Sequence, residues 1–288
     1  MKKEKPYITW LKWILTIVVF LGIFKFSLDF LQIKDYRPSS ISGKILMNVG
    51  IFLIIFVALG AHELGHLVMG LKNGFRFELF VVGFLGVKRN EQKIELYFNT
   101  DFNYFGGVAL TSPTKEDEKN AIKFAQVILA GPIASILFAV FCIILTPIIG
   151  GAFGVVLYVG SLISLGLFIV TTLPSRTGMF FTDRKRYQRL VKPGKDQQIE
   201  LAIIRIMGRL SSDKSYKNID EKDLTLLISD DLPFFKFYGL FNLICYQLEM
   251  NKVAEEEVLN EYELLSGKMP KKLKASFDKE IELFKGNL

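Results

Sequence analysis

Histidine is almost missing from this chain: there are 2 in 288 residues, at positions 62 and 66. That scarcity excludes any imidazole metal centre elsewhere in the sequence. Cysteine is equally scarce. Cys142 sits in an apolar stretch and Cys245 in a soluble one, so neither a disulfide framework nor a zinc finger can be built. Charge is missing over long runs. Residues 124–175 carry none, and Glu63 is the one Asp, Glu, Lys or Arg within 45–71. Runs of this length read as membrane spans, which need about 20 apolar residues each.

What remains inside the second run is informative. His62-Glu63-Leu64-Gly65-His66 reads H-E-x-x-H. Residues i and i+4 of a helix share a face, so both imidazoles can reach one metal ion. Glu63 lies about 100° around the helix, placed to act on a water without binding the metal. A catalytic zinc site takes three protein ligands and keeps one position open for water. Ionisable groups are costly in lipid, so this cluster marks a functional site. The expected cofactor is Zn2+, with His62 and His66 as ligands and Glu63 as the catalytic base.

Hydropathy and charge organise the rest. Half of the residues are hydrophobic, and the excess lies before about residue 175. The first span is read at 8–31: it follows Lys2, Lys3 and Lys5 but lacks a small-residue cleavage site, so it is retained. The others are read at 45–71, 121–145 and 153–173, with a tight turn at Thr146-Pro147 and Gly150-Gly151. The net charge is +7, and the basic residues cluster where spans end. That pattern places both termini and the 72–123 loop in the cytoplasm of a cell membrane. Nucleic acid is not expected as a partner. The lysine-, isoleucine- and phenylalanine-rich usage points to a bacterial source.

The expected fold is a mainly α, polytopic membrane protein. It has about four transmembrane helices, a small membrane-associated β-region and a C-terminal soluble helical domain. Three units are expected. Residues 1–44 hold the first span and an external loop. Residues 45–190 form the core: the HELGH helix, a β-region at 74–110, helices at 121–145 and 153–173, and a loop at 174–184. Residues 191–288 form a cytosolic helical domain, either a stabilising bundle or a docking surface for a cytosolic partner.

Within the β-region, 75–82 and 93–98 read as strands, with turns near Gly83, Gly86 and Asn90. Gly106 and Gly107 signal close backbone approach. The region is either an amphipathic hairpin on the lipid bilayer or an edge strand that holds a substrate extended.

These residues together resemble the site-2 protease family of intramembrane zinc metalloproteases, over about residues 45–184 and without room for a PDZ domain. Ala130-Gly131-Pro132-Ile133-Ala134-Ser135 resembles the family's G-P-x-A-N element. Leu173-Pro174 with Thr182-Asp183 resembles its N-x-x-P…D-G element, which supplies the third ligand. The resemblance implies Asp183 as that ligand, and no third histidine competes with it. The alternative is a loop aspartate paired with Arg184 or Arg186. It also implies Gly106, Gly107 and Ser135 as substrate-binding positions, although small residues around Ser135 equally serve helix packing. The chain departs from the pattern at Ser135, Thr172 and Arg184.

The implied activity is hydrolysis of peptide bonds within or next to transmembrane segments, in membrane proteins or signal peptides. Two rivals stand beside it: a zinc-binding but inactive scaffold working through its C-terminal domain, and a membrane zincin of the prenyl-protein protease type.

Overall fold

The computed structural model describes residues 38–90, 93–177, 180–251 and 253–286, with isolated positions before residue 38. The expected first span at 8–31 lies outside the described residues, so three of the four expected spans can be compared.

Helix α1 runs Ile41–Lys72. It begins four residues before the apolar run because Ser40 caps it, accepting from the Gly43 amide at 3.1 Å. Its 32 residues extend about 48 Å, ample for a bilayer. Leu46, Leu53, Val57 and Val68 stand exposed along it, as lipid-facing side chains do. Helix α2 spans Asn120–Ile149 and helix α3 spans Gly151–Thr172. Among the described residues these three helices are long and apolar enough to cross a membrane.

The expected turn is narrower than the sequence implied. α2 continues through Pro147 and stops at Gly150, which with Gly151 adopts positive φ of 62° and 56°. A proline in the last turn removes a single backbone hydrogen bond, so the helix tolerates it there. The two glycines take the left-handed conformation that ends it.

Between α1 and α2 the chain forms an antiparallel sheet of four strands in the order β3-β2-β1-β4. Strand β1 is Arg76–Val82, β2 is Leu85–Asn90, β3 is Lys93–Phe98 and β4 is Val108–Ser112. β2 was not expected as a strand, because Gly86 and Asn90 read as turn residues. Gly86 instead sits under the Tyr97 ring, where a Cβ would collide with it. The sheet docks on α1 by close contacts of glycine with Thr111 at Gly70 and with Phe56 at Gly83. β4 is an edge strand, paired with β1 alone.

A short hairpin, β5 (Arg176–Thr177) with β6 (Phe180–Phe181), leads into helix α4, Asp183–Val191. Five further helices follow: α5 Lys195–Asp213, α6 Glu221–Ile228, α7 Pro233–Asn251, α8 Glu256–Ser266 and α9 Lys271–Gly286. They bury their own core, in which the Phe237 ring stacks on Tyr262 at 4.7 Å. A second core of Phe75, Phe124, Val127, Ile128, Leu190 and Ile204 joins the bases of α1 and α2 to α4 and α5. Both cysteines are free and buried.

Candidate active site

The site lies where α1, α2, α4 and β4 meet. His62 and His66 stand one turn apart on α1, with Nε2 atoms 3.3 Å apart. Asp183, the first residue of α4, brings Oδ2 to 3.3 Å from His62 Nε2 and Oδ1 to 3.6 Å from His66 Nε2. Residues 117 or more positions apart in the chain thus converge. No described ion pair joins Asp183 to Arg184 or Arg186. The Arg184 guanidinium lies over the Tyr187 ring, and Arg186 lies over Phe124 with Nε 3.8 Å from Glu200.

Helix α2 orients both imidazoles. His66 Nδ1 donates to the Val127 carbonyl at 2.7 Å. A carbonyl only accepts, so this nitrogen carries the proton and Nε2 presents a lone pair. His62 Nδ1 faces Ser135 Oγ at 2.9 Å. Ser135 is fully buried there, so the structure brings it to a ligand histidine's outer nitrogen. Such partners fix the ring and tautomer of metal-binding histidines.

The close fit of α1 on α2 depends on two glycines. A Cβ at Gly65 would meet the Ala130 carbonyl at 2.5 Å, and a Cβ at Gly131 would collide with the His66 ring. Replacing Gly131 by Ala should raise intrinsic helix propensity by about 1 kcal/mol. It should nevertheless displace His66 and cut bound zinc severalfold, measured by metal analysis of the purified protein.

Glu63 points to the sheet side of α1. The Ala109 backbone amide faces its carboxylate. Gly107, at φ 106°, lies so near that a Cβ there would meet Glu63 Cγ at 2.8 Å. Gly106 is exposed beside it with open space around its Cα. Gly106 and Gly107 therefore stand at the entry to the edge strand, in front of Glu63.

In the sequence Thr182 stands out only as the neighbour of Asp183. It ties off the loop that carries Asp183: its hydroxyl donates to the Leu173 carbonyl at 2.8 Å and accepts from the Ser175 amide at 3.0 Å. Position before a helix that starts with Asp was the available signal. The Val127 carbonyl had none, since every residue carries one.

A family model, peptidase family M50, matches residues 50–285. The chain belongs to peptidase family M50. No curated protein and no solved structure matches it. Membership makes this M50 chain a membrane metalloprotease of the site-2 protease family, and peptidases of that family depend on zinc. The matched segment extends past the HELGH motif into the last helix, so the C-terminal domain is part of the family match.

The residues of this M50 site fit a zinc ion. One ligand atom each from His62, His66 and Asp183 lies within 4.8 Å of the others. Two zinc bonds of about 2.0–2.1 Å at a tetrahedral angle end about 3.3 Å apart, which is the spacing of the two Nε2 atoms. Asp183 Oδ2 is buried without a hydrogen-bond donor. Two imidazole nitrogens and a carboxylate at this spacing repel one another unless a proton or a cation lies between them.

Proposed function

We propose that this M50 protein is an intramembrane zinc endopeptidase of the site-2 type. It hydrolyses peptide bonds within or next to transmembrane segments of membrane proteins or leftover signal peptides. One observation carries the reading. His62 and His66 on an apolar helix converge with Asp183 from α4 as one donor set, and Glu63 beside them faces the start of a strand with a free edge.

Zinc, when bound, supplies a Lewis acid that makes water acidic near neutral pH. Glu63 takes a proton from the attacking water and delivers it to the amine nitrogen as the C–N bond breaks. One water is consumed, and a carboxylate and an amine are released. Ser135 and Val127 hold the two imidazoles in the ligating orientation, so the role of Ser135 lies with His62 rather than with substrate.

A transmembrane helix seals its amides in internal hydrogen bonds and must unwind before it can be cut. An extended segment adding to the free edge of β4 regains backbone bonds lost on unwinding. Gly106 has open space around it for that segment, and Gly107 lets the backbone come close to Glu63. The positive-inside pattern supports cytoplasmic termini, with 191–288 as a cytosolic domain open to a partner.

The test uses full-length protein in lipid vesicles with two single-span peptides, one with an all-leucine core and one with a Gly-Pro pair in it. Gly and Pro together weaken a helix by several kcal/mol. The Gly-Pro peptide should therefore be cut at least about tenfold faster, at a bond in or beside the span located by mass spectrometry. Cleavage confined to a soluble unfolded protein, with both peptides intact, overturns the reading.

A further inference from the structure

Helix α4 carries Asp183 but has little to hold it by itself. It is 9 residues long and its N-cap, Thr182, makes no capping side-chain bond to it. Helices this short are marginal without tertiary contacts. It packs on α2, with Arg186 over Phe124 and Leu190 in the shared core, and its polar ties to the helices that follow lie near its far end.

Arg189 lies about two turns beyond Asp183 and is 5% exposed. Its Nε donates to Glu200 Oε1 at 2.9 Å. Nη1 lies 2.9 Å from Asp196 Oδ1 and Nη2 lies 3.3 Å from Asp230 Oδ2. Its guanidinium also sits over the rings of Phe181 and Phe235, at 4.8 and 5.2 Å. Glu200 is 1% exposed, so the centre of this network is dry. Glu200 and Asp196 belong to α5, and Asp230 to the turn before α7.

Buried ion networks are poor stabilisers, because apolar residues of similar volume often do as well. What a planar guanidinium fork supplies is direction: its donors meet carboxylates in a fixed geometry. The partners here are all outside the helix that carries Asp183. The same α5 reaches the strand side of the site at its other end. Gly208 packs on the backbone of Lys115 and Glu116, and Arg209 Nε lies 2.6 Å from Glu116 Oε2. Those residues connect β4 to α2. One helix of the C-terminal domain thus holds both the ligand helix and the exit of the edge strand.

We propose that Arg189 is a positioning residue of the metal centre. By bridging Glu200, Asp196 and Asp230 it locks α4, and with it Asp183, onto the C-terminal domain. That domain is then a structural part of the metal site rather than a detachable appendage. The proposal rests on the reading of Asp183 as third ligand.

The experiment titrates zinc against a chromophoric chelator on the full-length protein in detergent, and records the visible spectrum after Co2+ is added instead. Four variants are compared with wild type: Arg189→Lys, Glu200→Gln, Asp223→Asn and Asp183→Ala. Asp223→Asn is the control. It breaks the Arg205–Asp223 pair of the same domain, in which Asp223 is buried and Arg205 half-buried, and which is made by neither α4 nor its carboxylate partners. Arg189→Lys and Glu200→Gln should each weaken zinc binding about tenfold, the usual size of an outer-partner effect, and change the cobalt band intensity. Asp223→Asn should bind zinc like wild type even where its thermal midpoint falls. Wild-type affinity and spectrum in Arg189→Lys and Glu200→Gln, with zinc lost in Asp183→Ala, overturn the positioning role alone. An equal loss in Asp223→Asn also overturns it, by making the effect one of general domain stability. Wild-type zinc binding in Asp183→Ala removes the ligand reading and the proposal with it.

Discussion

Glu63→Gln is expected to lower peptide cleavage by at least about 100-fold while bound zinc stays at the wild-type level. The substitution is nearly isosteric. The amide oxygen of Gln can still face the Ala109 amide, and the space left by Gly107 is unchanged. The metal ligands are other residues, so metal content should not move. What disappears is the ability to accept a proton from water. General base catalysis contributes about 10²–10⁴-fold, and that is the range at stake. Cleavage of the Gly-Pro peptide is followed by mass spectrometry, and zinc by metal analysis of the same sample. Wild-type cleavage by the variant would sink the proposed mechanism. Loss of zinc together with activity would mean that Glu63 supports the metal and not only the chemistry.

Asp183→Ala is expected to reduce zinc from about one ion per chain to less than about a tenth after gel filtration. Two imidazoles on one helix then remain, one ligand short of a zinc site. Unfolding does not account for such a loss. A carboxylate in the first turn of a helix contributes about 0.3–1 kcal/mol through the helix dipole, too little to unfold the chain. Circular dichroism should accordingly match wild type. Full retention of zinc would move the third ligand elsewhere and withdraw the reading of the 172–184 segment.

The two predictions differ in what made their residues legible. His62, Glu63 and His66 could be read from spacing, because one helical turn converts i and i+4 into neighbours whatever the rest of the chain does. The membrane helices could be read because the bilayer selects for long uncharged runs. Their ends moved only where local chemistry intervened, at the Ser40 cap and at Pro147, which α2 absorbs. Strands β1 and β3 were read from their aromatic and β-branched residues. β2 was hidden, because Gly86 reads as a turn until the Tyr97 ring above it is known. Helix α4 was hidden for another reason. Its arginine-rich sequence carries only a short apolar stripe, Tyr187, Leu190 and Val191, and it is helical because Tyr187, Leu190 and Arg189 are held from outside.

By itself the sequence determined the long apolar helices and the placing of two imidazoles and a carboxylate on one of them. All of these follow from periodicity and composition within short windows. Tertiary structure alone decided that Ser135 and the Val127 carbonyl orient the two imidazoles. It alone brought Asp183 to the Nε2 atoms, put Glu63 opposite the edge of β4 and tied α4 to the C-terminal domain through Arg189. The physical reason is separation along the chain. Ser135 lies 73 residues from His62, and no local pattern encodes a contact at that distance. It arises only when helices approach closely enough, here over Gly65 and Gly131, for one side chain to meet another.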